Sequence, residues 1–198
     1  MISAFYKYVK FSLFLILIIC LLLIPIIYSN SSYSSPQSNT DSIFSSHNFV
    51  WPIPGYTKIS SAFGRRTSPT SGASSYHSGI DIPAPEGTPL LAIADGVVTF
   101  CSWGAGGGYT ITYELNALPN VKVSYCHVSP VIIVSRGESI KKGQNIGSVG
   151  PKNVYGIVNN PYRDSNGNPT NGASTGCHLH FTIKVNNEPT NPLNYYDL

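Results

Sequence analysis

From Val50 to the C-terminus, apolar residues come only in short runs, each closed by glycine, proline or asparagine before a helical period is established. Thr88–Phe100 (TPLLAIADGVVTF) holds two β-rich runs separated at Asp95-Gly96, a tight-turn signal. Gly104–Gly108 breaks the chain again, and Tyr109–Leu115 (YTITYEL) alternates as a half-buried strand does. Val121–Val128 reads as a further strand entered through Pro119-Asn120. Ser139–Val149 reads as two short strands about a turn, and His178–Val185 (HLHFTIKV) as the last long strand. The expected fold class is all-β: an antiparallel sheet domain over residues 50–198, with no helix. Pro151–Asn171 (PKNVYGIVNNPYRDSNGNPTN) stands apart as a loop too long for a hairpin. By default it is a solvated surface loop. The sharper expectation sets it beside a functional site, because it leads almost directly into His178.

The first part of the chain obeys other rules. Residues 1–10 form a short basic N-terminus containing Lys7 and Lys10, and residues 11–28 (FSLFLILIICLLLIPIIY) are almost wholly apolar. That run is about long enough to cross a hydrocarbon core of ~30 Å, and the lysines before it orient the N-terminus to the cytoplasm. The expectation is a single-pass membrane anchor with everything beyond Tyr28 outside the cytoplasm. A cleaved signal, releasing the rest as a secreted chain, is the rival, although no A-x-A-like site closes the run. Residues 29–49 are a serine- and asparagine-rich linker with too little apolar surface to fold alone. His47 is taken as a solvated linker residue.

The net charge of +3 is small and carries no basic block, so no nucleic-acid partner is expected. Cys101, Cys126 and Cys177 lie beyond the anchor, where a disulfide could form; three thiols allow at most one bridge, and buried small hydrophobes are an equal expectation.

With only 11% charged residues, few side chains can do acid, base or metal work, and they bunch. His77 and Asp81 occur as H-S-G-I-D, His127 in Y-C-H-V-S, and His178 with His180 as H-L-H. On a strand the two histidines of H-L-H face one side and Leu179 the other. Catalytic zinc sites use three protein ligands and keep one position open. Two histidines and an aspartate meet that count and leave two histidines for proton transfer, for which His127 and His178 are the natural candidates. The alternative of Cys126-His127 and Cys177-His178 as ligand pairs is discounted, since neighbours on a strand face opposite sides. No G-x-S-x-G is present to suggest a serine nucleophile.

At these residues the chain resembles the lysostaphin/LytM-type zinc endopeptidases, peptidase family M23. The resemblance covers about Val50–Leu198 and is carried by Ser61–Arg66 (SAFGRR), His77–Pro89 (HSGIDIPAPEGTP), Ala94–Val98 (ADGVV), Tyr125–Ser129 (YCHVS), Ile140–Gly147 (IKKGQNIG) and Ser174–Phe181 (STGCHLHF). It implies a β-sheet groove holding one Zn2+ on His77, Asp81 and His180, with His127 and His178 as the catalytic pair. It further implies hydrolysis of peptide bonds in bacterial peptidoglycan, in stems or cross-bridges, at the cell envelope. The alternative is an inactive wall-binding or envelope-assembly module of the same fold. Cys126 and Cys177 depart from the family's usual residues. Strand alternation leads one to expect that both point away from the metal.

Overall fold

The structure, a computed structural model, describes residues 49–196. The expected anchor at 11–28, the segment before it and nearly all of the linker lie outside the described residues. Among those described, no helix is long and apolar enough to cross a membrane.

The domain is all-β, with two short 3-10 turns at Ala105–Gly107 and Pro192–Tyr195. In chain order the strands are β1 (Gly64–Arg65), β2 (Tyr76–His77), β3 (Ile80–Pro83), β4 (Pro89–Leu91), β5 (Gly96–Trp103) and β6 (Tyr109–Leu115), then β7 (Val121–Cys126), β8 (Ser139–Ile140), β9 (Asn145–Ser148), β10 (His178–Val185) and β11 (Glu188–Thr190). The main sheet is antiparallel in the order β11-β10-β7-β6-β5-β8, and β3 pairs with the N-terminal half of β10. Two small sheets, β1-β2 and β4-β9, flank it.

Alternation along the strands decides which face is core. Leu179, Phe181 and Ile183 of β10, Val123 and Tyr125 of β7, and Ile111 and Tyr113 of β6 are all fully buried. Tyr113 and Tyr125 satisfy their hydroxyls inside this core: each bonds the other at 3.1 Å, and Tyr125 donates to the Leu91 carbonyl at 2.6 Å. The opposite face carries the intervening residues, His178, His180, Thr182 and Lys184 on β10 among them. Packing begins with Phe49, at the end of the expected linker, which meets the rings of Tyr195 and Tyr196.

The β7 strand is shorter than its sequence suggests. It ends at Cys126 because His127 adopts φ 59°, a left-handed conformation that a non-glycine residue enters at a cost of about 1–2 kcal/mol. Three hydrogen bonds hold His127 there: its N–H to the Gly107 carbonyl (2.7 Å), its carbonyl to the Gly150 N–H (2.9 Å), and its ring to the Asn171 carbonyl.

Candidate active site

Backbone pairing brings the first three polar groups together. Directly opposite residues on antiparallel strands share a face, and the β3-β10 register sets Asp81 opposite His180. The turn from β2 to β3 then delivers His77, buried to 2% exposure, under the same spot. Gly79 makes this turn possible: a Cβ there would stand 2.2 Å from the Phe181 carbonyl oxygen.

The donor atoms converge closely. His77 Nε2 lies 3.1 Å from Asp81 Oδ1 and 2.9 Å from His180 Nδ1, and His180 Nδ1 lies 2.8 Å from Asp81 Oδ1. His77 Nδ1 faces the Ala62 carbonyl at 2.8 Å. A carbonyl only accepts, so Nδ1 carries the proton and Nε2 presents a lone pair. His77 and Asp81 thus face each other acceptor to acceptor, and only His180 Nδ1 could bring a proton into the triangle. A cation at the centre resolves the conflict for all three. The spacings are close to the edges of about 3.3 Å that follow from zinc–ligand bonds near 2.0 Å in a tetrahedron. His77 also shows the usual arrangement of a metal-ligating histidine, its other ring N–H held by a carbonyl. Among the described residues, His77, Asp81 and His180 are the one His/Cys/Asp/Glu group so arranged.

Arg66 completes the surroundings of Asp81. Its Nη1 donates to Asp81 Oδ2 at 3.1 Å and also to Ser61 Oγ, which leaves Oδ1 to the histidines. The Nε of Arg66 is the one buried side-chain nitrogen or oxygen among the described residues without a hydrogen-bond partner. Burial alone would raise the Asp81 pKa, but the imidazoles of His178, His180 and His77 gathered around it outweigh that effect and hold the carboxyl far below the usual range. Burial moves His180 the other way from a free imidazole, favouring its neutral form despite the neighbouring carboxylate. The role of Arg66 was not legible in its motif, because the carboxylate it holds lies on another strand.

His127 and His178 stand beside this triangle with ring centroids 4.7 Å apart. Each ties Nδ1 to a backbone carbonyl, His127 to Asn171 at 2.6 Å and His178 to Gly176 at 2.8 Å. Each therefore keeps its proton on Nδ1 and turns Nε2 away from that anchor, and His178 Nε2 lies 3.5 Å from Asp81 Oδ1. Burial, then repulsion from His178 and His180, lowers the His127 pKa to about 3, so it is neutral in the metal-free chain.

Asn171 is the residue that sequence alone did not mark. It closes the Pro151–Asn171 loop, is fully buried, accepts from the Tyr109 N–H (2.9 Å) and donates to the Val128 carbonyl (3.0 Å). The loop is therefore built into the site rather than a solvated excursion. Asp164 organises it, accepting from the N–H groups of Asn166 and Asn168 and from Lys152.

Two cavities, of about 460 and 360 Å³, meet at this cluster and share Arg66, His127, Ala173 and His180 as lining. Both cysteines of the departing positions line them, contrary to expectation. Cys126 is opposite His180 in the β7-β10 register and so shares its face, while the left-handed His127 breaks the alternation that would have separated them. Cys177 lies in the bend before β10, where strand alternation does not apply. Neither they nor Cys101 form a disulfide.

Residues 75–162 match the family model described as Peptidase family M23, a stretch that includes His77, Asp81 and His127. The chain belongs to peptidase family M23. This M23 domain is 37% identical over 139 residues to DD-carboxypeptidase/endopeptidase Mpg of Neisseria meningitidis, covering 70% of the chain and 27% of that protein. It is 32% identical over 139 residues to peptidoglycan DD-endopeptidase ShyC of Vibrio cholerae, covering 69% and 27%. Among solved structures, a zinc-containing peptidase from Vibrio cholerae superposes with a TM-score of 0.57 at 27% identity, over 76% of this chain and 40% of that one. The catalytic domain of lysostaphin from Staphylococcus simulans gives 0.51 at 29% identity, over 65% and 80%. The chain spans about a quarter of the length of the curated relatives it matches.

Proposed function

We propose that this chain is a zinc-dependent endopeptidase that hydrolyses peptide bonds in bacterial peptidoglycan. One observation carries the proposal: His77 Nε2, Asp81 Oδ1 and His180 Nδ1 meet within 3.1 Å beside two further histidines whose Nδ1 atoms are both tied to backbone carbonyls. His77, Asp81 and His180 would hold one Zn2+. Bound there, the ion would supply Lewis acidity, polarising a peptide carbonyl and making water a stronger acid.

The chain's own residues do the rest. His127 and His178, each fixed in its Nδ1–H tautomer by a backbone carbonyl, offer Nε2 as a proton acceptor on the groove side. Once protonated, either can donate a hydrogen bond to the developing oxyanion or pass the proton to the leaving amine. Arg66 keeps Asp81 from rotating away. An extended peptide would lie along the two cavities that meet at the cluster, which suits cleavage within a chain rather than at its end. Relatives named as peptidoglycan DD-endopeptidases support that substrate class. In the organisation that goes with this reading, residues 11–28 anchor the chain in a bacterial membrane, residues 29–49 are the tether, and residues 50–198 work outside the cytoplasm.

The full chain, purified in mild detergent and loaded with zinc, should carry about one ion, as a three-ligand site requires. It should release peptide fragments from purified peptidoglycan, with the cut bond read by mass spectrometry. A His180→Ala chain that kept both zinc and activity would refute the assignment. Binding to the wall without release of any fragment would refute hydrolysis.

A further inference from the structure

The groove carries a charge pattern that the metal cluster does not explain. Its lining contains two cations, Arg66 and Lys184, and a single carboxylate, Asp81, which Arg66 and the histidines already engage. Lys184 lies on the same strand and face as His180, four residues further on, or about 13 Å along β10. Between them the floor is made of small hydroxyl and thiol side chains, Thr182 beside Ser124, and Cys126 beside Thr110.

At the end of this track the register is locally unfavourable. Lys184 stands directly opposite Lys122 on β7, and like charges in that position repel. Lys122 is relieved by Glu114 of β6, at 3.4 Å. Lys184 has no ion pair among the described residues, so one positive charge is left over, facing the groove. A strand pair selected for stability alone would place a neutral or acidic residue there.

We propose that Lys184 is an anionic subsite that takes a free carboxylate of the peptide substrate, within about four residues of the scissile bond. Four extended residues cover the 13 Å between the metal cluster and the lysine. This inference depends on the hydrolase proposal for its substrate, and it makes the groove selective for acidic peptides over neutral ones such as glycine chains.

The test uses the zinc-loaded full chain and two synthetic peptides cut at the same bond, one with a side-chain or terminal carboxylate three or four residues away and one with the carboxamide in its place. The ratio of kcat/KM, carboxylate over carboxamide, should be about fivefold in the native chain, the size of one half-exposed charge contact. It should fall as salt is raised. Lys184→Gln should bring the ratio to about one, Lys184→Arg should keep it, and Lys184→Glu should invert it. Because the substitution to glutamine also removes the repulsion from Lys122, that variant should melt no lower than the native chain. A native ratio near one, a ratio unchanged in Lys184→Gln, or a clear loss of thermal stability in that variant would overturn the subsite. If the native chain cut neither peptide, the hydrolase proposal would fall instead, and the ratio of the two peptides' dissociation constants, measured by calorimetry, would still decide the lysine.

Discussion

Replacing Arg66 by alanine removes the cation that holds the second oxygen of Asp81. In the folded chain the carboxylate is mostly buried, with 14% of its side chain exposed, and Arg66 Nη1 reaches Oδ2 at 3.1 Å. Breaking a fully buried ion pair by removing one partner costs about 3–5 kcal/mol. Here both groups keep some contact with water, and three histidines still face Oδ1, so about 1.5–3 kcal/mol is the appropriate range. The loss falls on the orientation of Oδ1, and hence on metal affinity, because Oδ1 is the atom that meets His77 and His180. That energy corresponds to roughly 10- to 100-fold weaker zinc binding, in line with removing a hydrogen-bond partner of a metal ligand. Arg66→Lys, which keeps the charge but not the planar fork, should fall between. The assay is competition against a chromophoric chelator, with melting of the metal-free chain as a control. Unchanged zinc affinity in Arg66→Ala would refute the reasoning, and so would a loss fully accounted for by unfolding of the metal-free chain.

Other substitutions separate the proposed ligands from the proposed catalytic pair. His178→Ala and His127→Gln should each keep about one zinc by elemental analysis yet lower kcat by roughly 10²–10⁴-fold, whereas His180→Ala should lose the ion. Asn171→Ala would leave the buried Tyr109 N–H and Val128 carbonyl unpaired, costing about 2–4 kcal/mol by thermal denaturation. Because Asn171 also positions His127, that variant should lower kcat more than it raises KM. The metal-free chain should lose stability as pH falls. His127 is neutral in the fold down to about pH 3, while an unfolded histidine takes up a proton near 6.5, so the unfolded state binds more protons below that value. His180 is shifted in the same direction. Stability is therefore complete above about pH 6.5 and drains away toward pH 3; a melting temperature that rose on acidification in the presence of a chelator would contradict this.

Much of the fold was legible in the chain because alternation and turn chemistry are local. His178–Val185 and Tyr109–Leu115 form strands with the expected limits, and Asp95-Gly96 marks the entry to β5. The convergence of His77, Asp81 and His180 could also be anticipated, since histidines and a carboxylate this scarce rarely bunch without a task. What escaped depends on backbone geometry or distant contacts. His127 has φ 59° without being glycine, so no letter announces that β7 stops two residues early and that Cys126 turns to the groove. Asn171 meets His127 across 44 residues, and Arg66 meets Asp81 across a hairpin. Neither meeting has a local signature. The long loop had one that was easy to undervalue: an aspartate followed by asparagines and glycine, whose carboxylate gathers the surrounding N–H groups into an ordered turn.

The pairing of β3 with β10 has a consequence for how the site is assembled. The spacing between Asp81 and His180 is fixed by ladder bonds that form with the sheet, and His77 is seated by a glycine turn against the same strand. The ligand positions are thus properties of the backbone and do not wait for an ion to gather them. Small zinc domains that collapse on chelation use the metal as their nucleus. On the proposed function the order would be reversed: the polypeptide would fold first, and the ion would enter a finished socket. An ion so held would be open to withdrawal, to exchange for another of similar size, and to return while the chain stays folded.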